Sequence, residues 1–307
     1  MFMRRYEGLV FDSSRWDGFE ARAGDIIIST PPKCGTTWTQ MICALLVLQE
    51  SELPLPLDTL SPWIDMVTRA RTGVFADLEA QTHRRFIKTH TPLDGIPNDP
   101  TVTYICVGRD PRDVALSMNR HMDNMDMGAF LNARERAAAI DGVKLGPLPP
   151  PRPRPASERD RFWQWVDDDT PSTRSGGTSL RFVVEHLQTF RNAGEELDIV
   201  FLHYDELKND LEGQMRLLAT RLGIDVDEDR WPRLVQAATF ESMRSNADTT
   251  VAAGREHWID PAAFFSRGTS GQWDDLLDDA DRARYAARVR TLARDDLVAW
   301  LHSEPID

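Results

Sequence analysis

Three short stretches hold the side chains best suited to chemistry on an anion. In the first, PPKCGTTW (31–38), Lys33 and Gly35 stand between an apolar run, Ile26, Ile27 and Ile28, and a segment with apolar residues at Met41, Ile42, Leu45 and Leu48. The β-branched run stopped by Pro31 and Pro32 predicts a strand, and the following spacing predicts a helix capped by Thr36 or Thr37. A helix N-terminus offers unpaired N–H groups and a partial positive charge. Gly35 lets a ligand approach that backbone and Lys33 adds a full charge, so the loop reads as a cradle for a phosphate-like group. In the second stretch, RFIKTHTP (85–92), a short strand over 86–89 ends at Lys88 and His90, a pair suited to proton transfer beside a cation. The third, TVTYICVGRDPRDVALSMNRHM (101–122), repeats the grammar with a strand over 102–107 and a helix started by Pro111. Arg109 at that turn either holds a second anion bidentately, with Ser117 donating a hydroxyl bond, or pairs with Asp110 or Asp113 and staples the turn.

The composition sharpens the reading of the two lysines. Of 36 Lys plus Arg residues only four are lysine, Lys33, Lys88, Lys144 and Lys208. A compact, flexible ammonium is not interchangeable with a guanidinium fork, so lysines retained in an arginine-rich chain mark sites that need that shape. The net charge of −13 argues against general binding to nucleic acid or anionic membranes, and an anionic ligand must then meet a local basic site. Cys34, Cys43 and Cys106 are spaced for neither a disulfide framework nor a zinc site, which implies a reducing, cytoplasmic compartment. The N-terminus lacks a secretion signal and the longest clean apolar run, 41–48, is far too short to span a membrane.

Positioning such residues requires alternating strands and helices. Residues 198–204, DIVFLHY, predict another strand, and residues 207–222 a helix closed by Gly223. The alternation implies parallel strands with right-handed crossovers and a ligand site at the strands' C-terminal ends, where Lys33, Lys88, His90, Arg109 and Tyr204 all fall. The 307 residues read as one α/β domain with a central parallel sheet. Trp16 and Phe19 pack beside the first strand, and Pro62 and Trp63 are pocket-lining candidates. Residues 124–178 are the least regular part, with a Pro-rich loop or lid over 146–160; residues 161–169 and 178–192 resemble helices. Further helices are expected over 231–243 and 279–301, and residues 264–273 form a Gly-bearing loop.

Together PPKCGTTW, IKTH, ICVGRDPRDVALS, FLHYDELKND and RGTSGQW resemble the cytosolic sulfotransferases that use 3′-phosphoadenosine 5′-phosphosulfate (PAPS), in order and spacing from about residue 26 to 273. The resemblance implies a three-layer α/β fold related to nucleotide kinases. It implies that Lys33, Cys34, Gly35, Thr36 and Thr37 form the 5′-phosphosulfate loop, that Trp38, Tyr204 and Phe240 surround adenine, and that Arg109, Ser117, Arg267 and Gly268 hold the 3′-phosphate. His90 is implied as the general base, with Lys33 and Lys88 stabilising charge on the transferring group and no metal required. The acceptor is then a small molecule, an apolar alcohol or phenol in preference to a polyanionic sugar. The Pro-rich insertion and arginine usage resemble a bacterial member.

Several positions depart from the family pattern. Cys34 replaces the usual Ser, and a thiol at a helix N-terminus is expected to ionise and oxidise more readily. Ser266 replaces the first basic residue of an Arg-Lys-Gly triplet, and Ala238 stands where an adenine-contacting Thr is familiar. The family's short dimerisation motif is missing after Trp273, where the sequence runs DDLLDDADRARY. A P-loop kinase would require GxxxxGK[ST], and a cysteine phosphatase would place Arg where Gln40 stands. A non-catalytic nucleotide-binding derivative of the same fold is the remaining alternative.

Overall fold

The computed structural model describes residues 3–148, 153–251, 255–265, 268–303 and 306. Strands β1 (Ile26–Ser29), β2 (Phe86–Thr89), β3 (Thr103–Gly108) and β4 (Asp198–His203) form a parallel sheet in the order β2-β1-β3-β4. Every residue of β1, β2 and β3 is buried, as a parallel sheet covered on both faces demands.

Helices fill the crossovers. They are α1 (Thr36–Leu48), α2 (Leu57–Leu60), α3 (Arg71–Ala80), α4 (Pro111–Asp123), α5 (Met127–Ile140), α6 (Glu158–Val166) and α7 (Leu180–Arg191). After β4 follow α8 (Tyr204–Asn209), α9 (Leu211–Leu222), α10 (Trp231–Ala238), α11 (Phe240–Ser245), α12 (Ala247–Thr250), α13 (Asp279–Leu292) and α14 (Asp295–His302). The period of two along the strands divides the core. Ile27, Ile87, Tyr104 and Cys106 pack with α4, α6, α7, α13 and α14, whereas Ile26, Ile28, Phe86, Ile105 and Val107 pack with α1, α9 and α10. The result is the expected three-layer α/β architecture. Trp16 is buried and meets Phe19 edge-on at 5.1 Å, as their apolar character implies.

Several local expectations need correction. The N-cap of α1 is Gly35 in the left-handed region, not Thr36 or Thr37, and no side chain caps the helix. Within residues 124–178 the helix α5, whose N-cap Asp126 accepts from the Ala129 N–H, was not expected, whereas α6, capped by Ser157, overlaps the helix expected over 161–169; residues 149–152 of the Pro-rich loop lie outside the described residues. The expected helix over 207–222 is two helices, because Asp210 leaves helical geometry (φ −144°) and its side chain caps α9 through the Gly213 N–H. The 231–243 segment breaks likewise at Thr239, which caps α11, and the final segment breaks at Ala293 and Arg294, both extended. Trp63 forms a bridge beside Lys88, whose N–H donates to the Pro62 carbonyl at 3.0 Å, so this Pro-broken segment extends the sheet past β2.

Candidate active site

The loop between β1 and α1 turns on two left-handed residues, Lys33 (φ 70°) and Gly35 (φ 99°). Glycine is required at the second: a Cβ there would lie 3.1 Å from the Tyr204 ring. Thr36 is anchored by a 2.5 Å hydroxyl contact to Thr30. The first N–H groups of α1 have no carbonyl within their own helix and no side-chain cap, so they face the loop as anion donors. Cys34 is fully buried, and burial pushes its thiol up to about 12 despite Arg109 and Lys33 nearby. The reactive-thiol expectation is therefore wrong: desolvation outweighs the helix terminus.

Lys33, Lys88 and His90 converge from β1 and β2. Burial lowers both lysines to about 7, Lys33 helped by Arg109 and Arg120, and Lys88 by Lys33 against the opposing pull of Asp65 and Asp58. The Lys88 ammonium lies over the Trp63 ring, 3.9 Å from its centroid, and the same indole meets His90 edge-on at 4.7 Å. His90 Nδ1 donates to the Thr30 carbonyl at 2.7 Å, which leaves Nε2 as the acceptor nitrogen. Burial and then Lys88 hold this imidazole well below its usual range, so it is neutral near pH 7.

Arg109 leaves β3 across the loop. Its Nη1 donates to the Lys33 carbonyl (3.0 Å) and Nη2 to the Thr269 carbonyl (3.2 Å), and the guanidinium lies 4.0 Å from the Tyr204 ring centroid. Its Nε is buried without a partner among the described residues, an orphan donor that fits an anionic oxygen. The alternative staple role falls elsewhere. Asp110 pairs with Arg112 (2.6 Å), and Asp113 accepts from the N–H groups of Gly271 and Gln272. Those bonds dock the 268–273 loop on α4, with Ser270 donating to Asp205 and Arg112 lying 3.5 Å from the Trp273 centroid. Gly268 sits against the Phe240 ring, where a Cβ would come within 2.9 Å. Arg267 and Ser266 lie outside the described residues.

Trp38 donates through Nε1 to the Ala238 carbonyl (2.8 Å) and meets Tyr204 edge-on at 5.5 Å. Ala238 is thus tied to the same aromatic corner through its backbone. One cavity is lined by Lys33, Gly35, Thr36, Thr37, Trp38, Lys88, His90, Arg109, Ser117, Tyr204, Phe240 and Gly268, which are the described residues expected at the site, with Cys34 lying behind the loop. Trp63 lines it as well, and much of the remaining wall is apolar, from Met118, Met122, Met125, Phe130, Trp258 and Phe264, with Arg120, His121, His257 and Gln272 among its polar members.

Sequence reasoning missed two basic groups there. His121 on α4 accepts or donates through Nδ1 at 3.2 Å from Lys33 Nζ, and Arg120 donates to Gln272 Oε1 at 2.7 Å. Burial and then Lys33 keep His121 neutral, so its Nδ1 takes the acceptor role toward the ammonium. The i+4 spacing of His121 from Ser117 on one helix face was the available signal. Among the described residues no group of three or more metal-ligating side chains is assembled, and no helix is long and apolar enough to cross a membrane.

Comparison with known proteins shows the family and the fold of the chain. The sulfotransferase domain family matches residues 23–295. A glycolipid sulfotransferase of Mycobacterium bovis is 39% identical, with 97% of this chain and 93% of the relative covered, and one from Mycobacterium tuberculosis is 38% identical over the same shares. Mouse sulfotransferase 1B1 is 24% identical, covering 84% of this chain and 79% of its own. In fold, the crystal structure of mouse sulfotransferase SULT7A1 complexed with PAP superposes with a TM-score of 0.67 at 19% identity, over 95% of this chain and 93% of that one. Retinol dehydratase in complex with androsterone and PAP gives 0.64 at 18% identity, over 92% and 84%. By a family match over most of its length, the chain belongs to the sulfotransferase family.

Proposed function

We propose that the chain transfers the sulfuryl group of PAPS to a hydroxyl of an acceptor with an apolar body, with His90 Nε2 taking the hydroxyl proton. The observation that carries this reading is the convergence, in one cavity, of an uncapped helix N-terminus, two buried lysines and a neutral histidine whose Nδ1–H is already committed. PAPS would supply an activated sulfur and a phosphate leaving group. The N–H groups at the start of α1, with Gly35, Thr36 and Thr37, would hold the 5′ end, and Arg109 and Ser117 the 3′-phosphate, with Arg267 and Gly268 beside it. Trp38, Tyr204 and Phe240 would enclose adenine. As the acceptor oxygen bonds to sulfur, the bond from sulfur to the bridging phosphate oxygen breaks. The acceptor proton passes to His90, and Lys33 and Lys88 offset charge on the departing phosphate.

The methionine and aromatic wall suits an apolar acceptor, and the mycobacterial relatives are named for glycolipids. Two measurements test the reading. Calorimetry with 3′-phosphoadenosine 5′-phosphate (PAP) should show binding that Arg109→Ala weakens by about tenfold or more, with ATP and AMP weaker than PAP. His90→Asn should retain PAP affinity and lose about a hundredfold or more in kcat for sulfation of 1-octanol. Preference for ATP would overturn the nucleotide assignment. An unchanged kcat in His90→Asn would remove the proposed base, and PAP binding without turnover on any acceptor would favour a non-catalytic nucleotide-binding protein.

A further inference from the structure

Behind the wall of the reaction cavity lies a carboxylate that the transfer scheme does not use. Asp65 is fully buried, and three neutral donors converge on it. The Trp63 indole N–H donates to Oδ1 at 2.5 Å, and the hydroxyls of Thr89 and Thr91 both donate to Oδ2. Burial raises this carboxyl, and the three donors oppose the rise. Three donors on two oxygens fit the ionised form, which can only accept. A charge taken out of water is costly, and here all three donors that offset the cost belong to the frame of the reaction centre.

Thr89 and Thr91 stand immediately before and after His90. Lys88 and His90 line the cavity, and the period of two along extended chain places the two threonines together on the other side, where Asp65 takes both hydroxyls. Further bonds complete the grip: the Thr91 N–H donates to Thr89 Oγ1 at 2.9 Å, and Ser29 Oγ donates to the Thr91 carbonyl at 2.7 Å. The third donor holds the indole that lies under the Lys88 ammonium and meets His90 edge-on. The segment carrying Trp63 and Asp65 is itself registered on Lys88, whose N–H donates to the Pro62 carbonyl and whose carbonyl accepts from the Ile64 N–H at 3.2 Å. One carboxylate therefore ties down the base from both flanks, together with the aromatic ring shared by base and cation. Its charge also favours the ammonium form of Lys88.

We propose that Asp65 is a positioning residue for sulfuryl transfer: by gripping Thr89, Thr91 and Trp63 together it aims His90 Nε2 at the acceptor hydroxyl, with the Lys88 ammonium held beside it. Asp65 is too deeply buried to touch either reactant and acts through these neighbours. The proposal rests on the sulfotransfer reading above and adds the group that orients its base. An amide of the same shape cannot replace the carboxylate. Asparagine would set its NH2 either against the indole N–H, donor to donor, or against the two threonine hydroxyls, whose protons would then lose their acceptor.

The test measures PAPS-dependent sulfation of 1-octanol and calorimetric PAP binding for wild type, Asp65→Asn, His90→Asn and the double variant. Asp65→Asn should lower kcat by about tenfold to a hundredfold, the scale of a reacting group displaced by about 1 Å, while PAP affinity and the KM for 1-octanol stay within about threefold. In the His90→Asn background the same change should cost about threefold or less, the part that acts through Lys88, because the base it aims is already gone. If Asp65→Asn fails to fold, Thr91→Val, which keeps the shape and removes one donor, takes its place in the comparison with an expected loss of about threefold to tenfold in kcat. An unchanged kcat, a loss confined to PAP affinity or KM, or an equal loss with and without His90 overturns the positioning role. An undiminished Asp65→Asn beside an impaired His90→Asn removes Asp65 alone, whereas absence of turnover in wild type overturns the sulfotransfer reading and this role with it.

Discussion

The two depressed lysines make nucleotide binding a proton-uptake reaction. In the free protein Lys33 and Lys88 each titrate at about 7, against 10.5 for an ordinary lysine. A bound dianion favours the charged form and returns them toward the ordinary value, so affinity must fall as pH rises through the free-state titration. With 7 and 10.5 as the two limits, linkage gives a loss of about fivefold per lysine between pH 7 and 8, or roughly thirtyfold for both. The window is clean. Phosphate groups with a second ionisation near 6 are already about nine-tenths dianionic at pH 7, burial keeps His90 and His121 neutral, and the Cys34 thiol is pushed up to about 12. The assay is calorimetric titration of PAP at pH 7, 8 and 9, repeated in phosphate and Tris, whose ionisation enthalpies differ. At pH 8 the two lysines together should take up nearly two protons per PAP bound, about 0.9 each. Lys33→Met should remove its own share and, by deleting the nearest like charge, move the Lys88 titration upward. Affinity that is flat from pH 7 to 9, with no dependence on the buffer, would refute the placement of both ammonium groups against the nucleotide.

The remaining predictions concern the scaffold. Gly35→Ala places a Cβ 3.1 Å from Tyr204 at φ 99°; urea unfolding should show a loss of about 1–3 kcal/mol, with PAP affinity falling alongside it. Arg85 and Asp25 form a buried ion pair in which Nε donates to Oδ1 at 2.8 Å, so Arg85→Ala should cost about 3–5 kcal/mol in the same assay by leaving the carboxylate without its cation. His186 is lowered by burial to about 3, whereas an unfolded histidine titrates near 6.5, so the unfolded chain binds the extra proton between those values and stability is lost as pH is lowered through that range. The slope is about 1.4 kcal/mol per pH unit, and His186→Gln should remove one such increment from the stability-pH curve measured between pH 6 and 4.5.

Much of the site was legible because its residues carry local signals. Ile26–Ile28 stopped by two prolines, Lys88 among few lysines, and Arg109 just before Pro111 each mark a strand end, and parallel topology places those ends side by side. Other features depend on partners far away in sequence. Cys34 looks activated from its helix position, but its environment is set by β3 and α4, which desolvate it. The helix α5 shows a weak apolar stripe because alanines, Ala133, Ala137 and Ala138, supply most of its buried contacts. Asp210 and Thr239 read as interior helix residues until their side chains are seen capping the next turn. His121 gave little warning because its partner, Lys33, lies 88 positions away.

The burial of every thiol has a practical consequence. Cys34, Cys43 and Cys106 are all fully enclosed, and desolvation raises each of them, so no thiolate is presented to reagent or oxidant while the fold is closed. Modification of any of them must therefore wait for an opening event. Cys34 lies inside the anion loop, Cys43 on the helix behind it and Cys106 in the central sheet, so the three sit in different elements and serve as internal clocks. Their separate alkylation rates would report how often the nucleotide loop opens by itself and how often the whole domain comes apart.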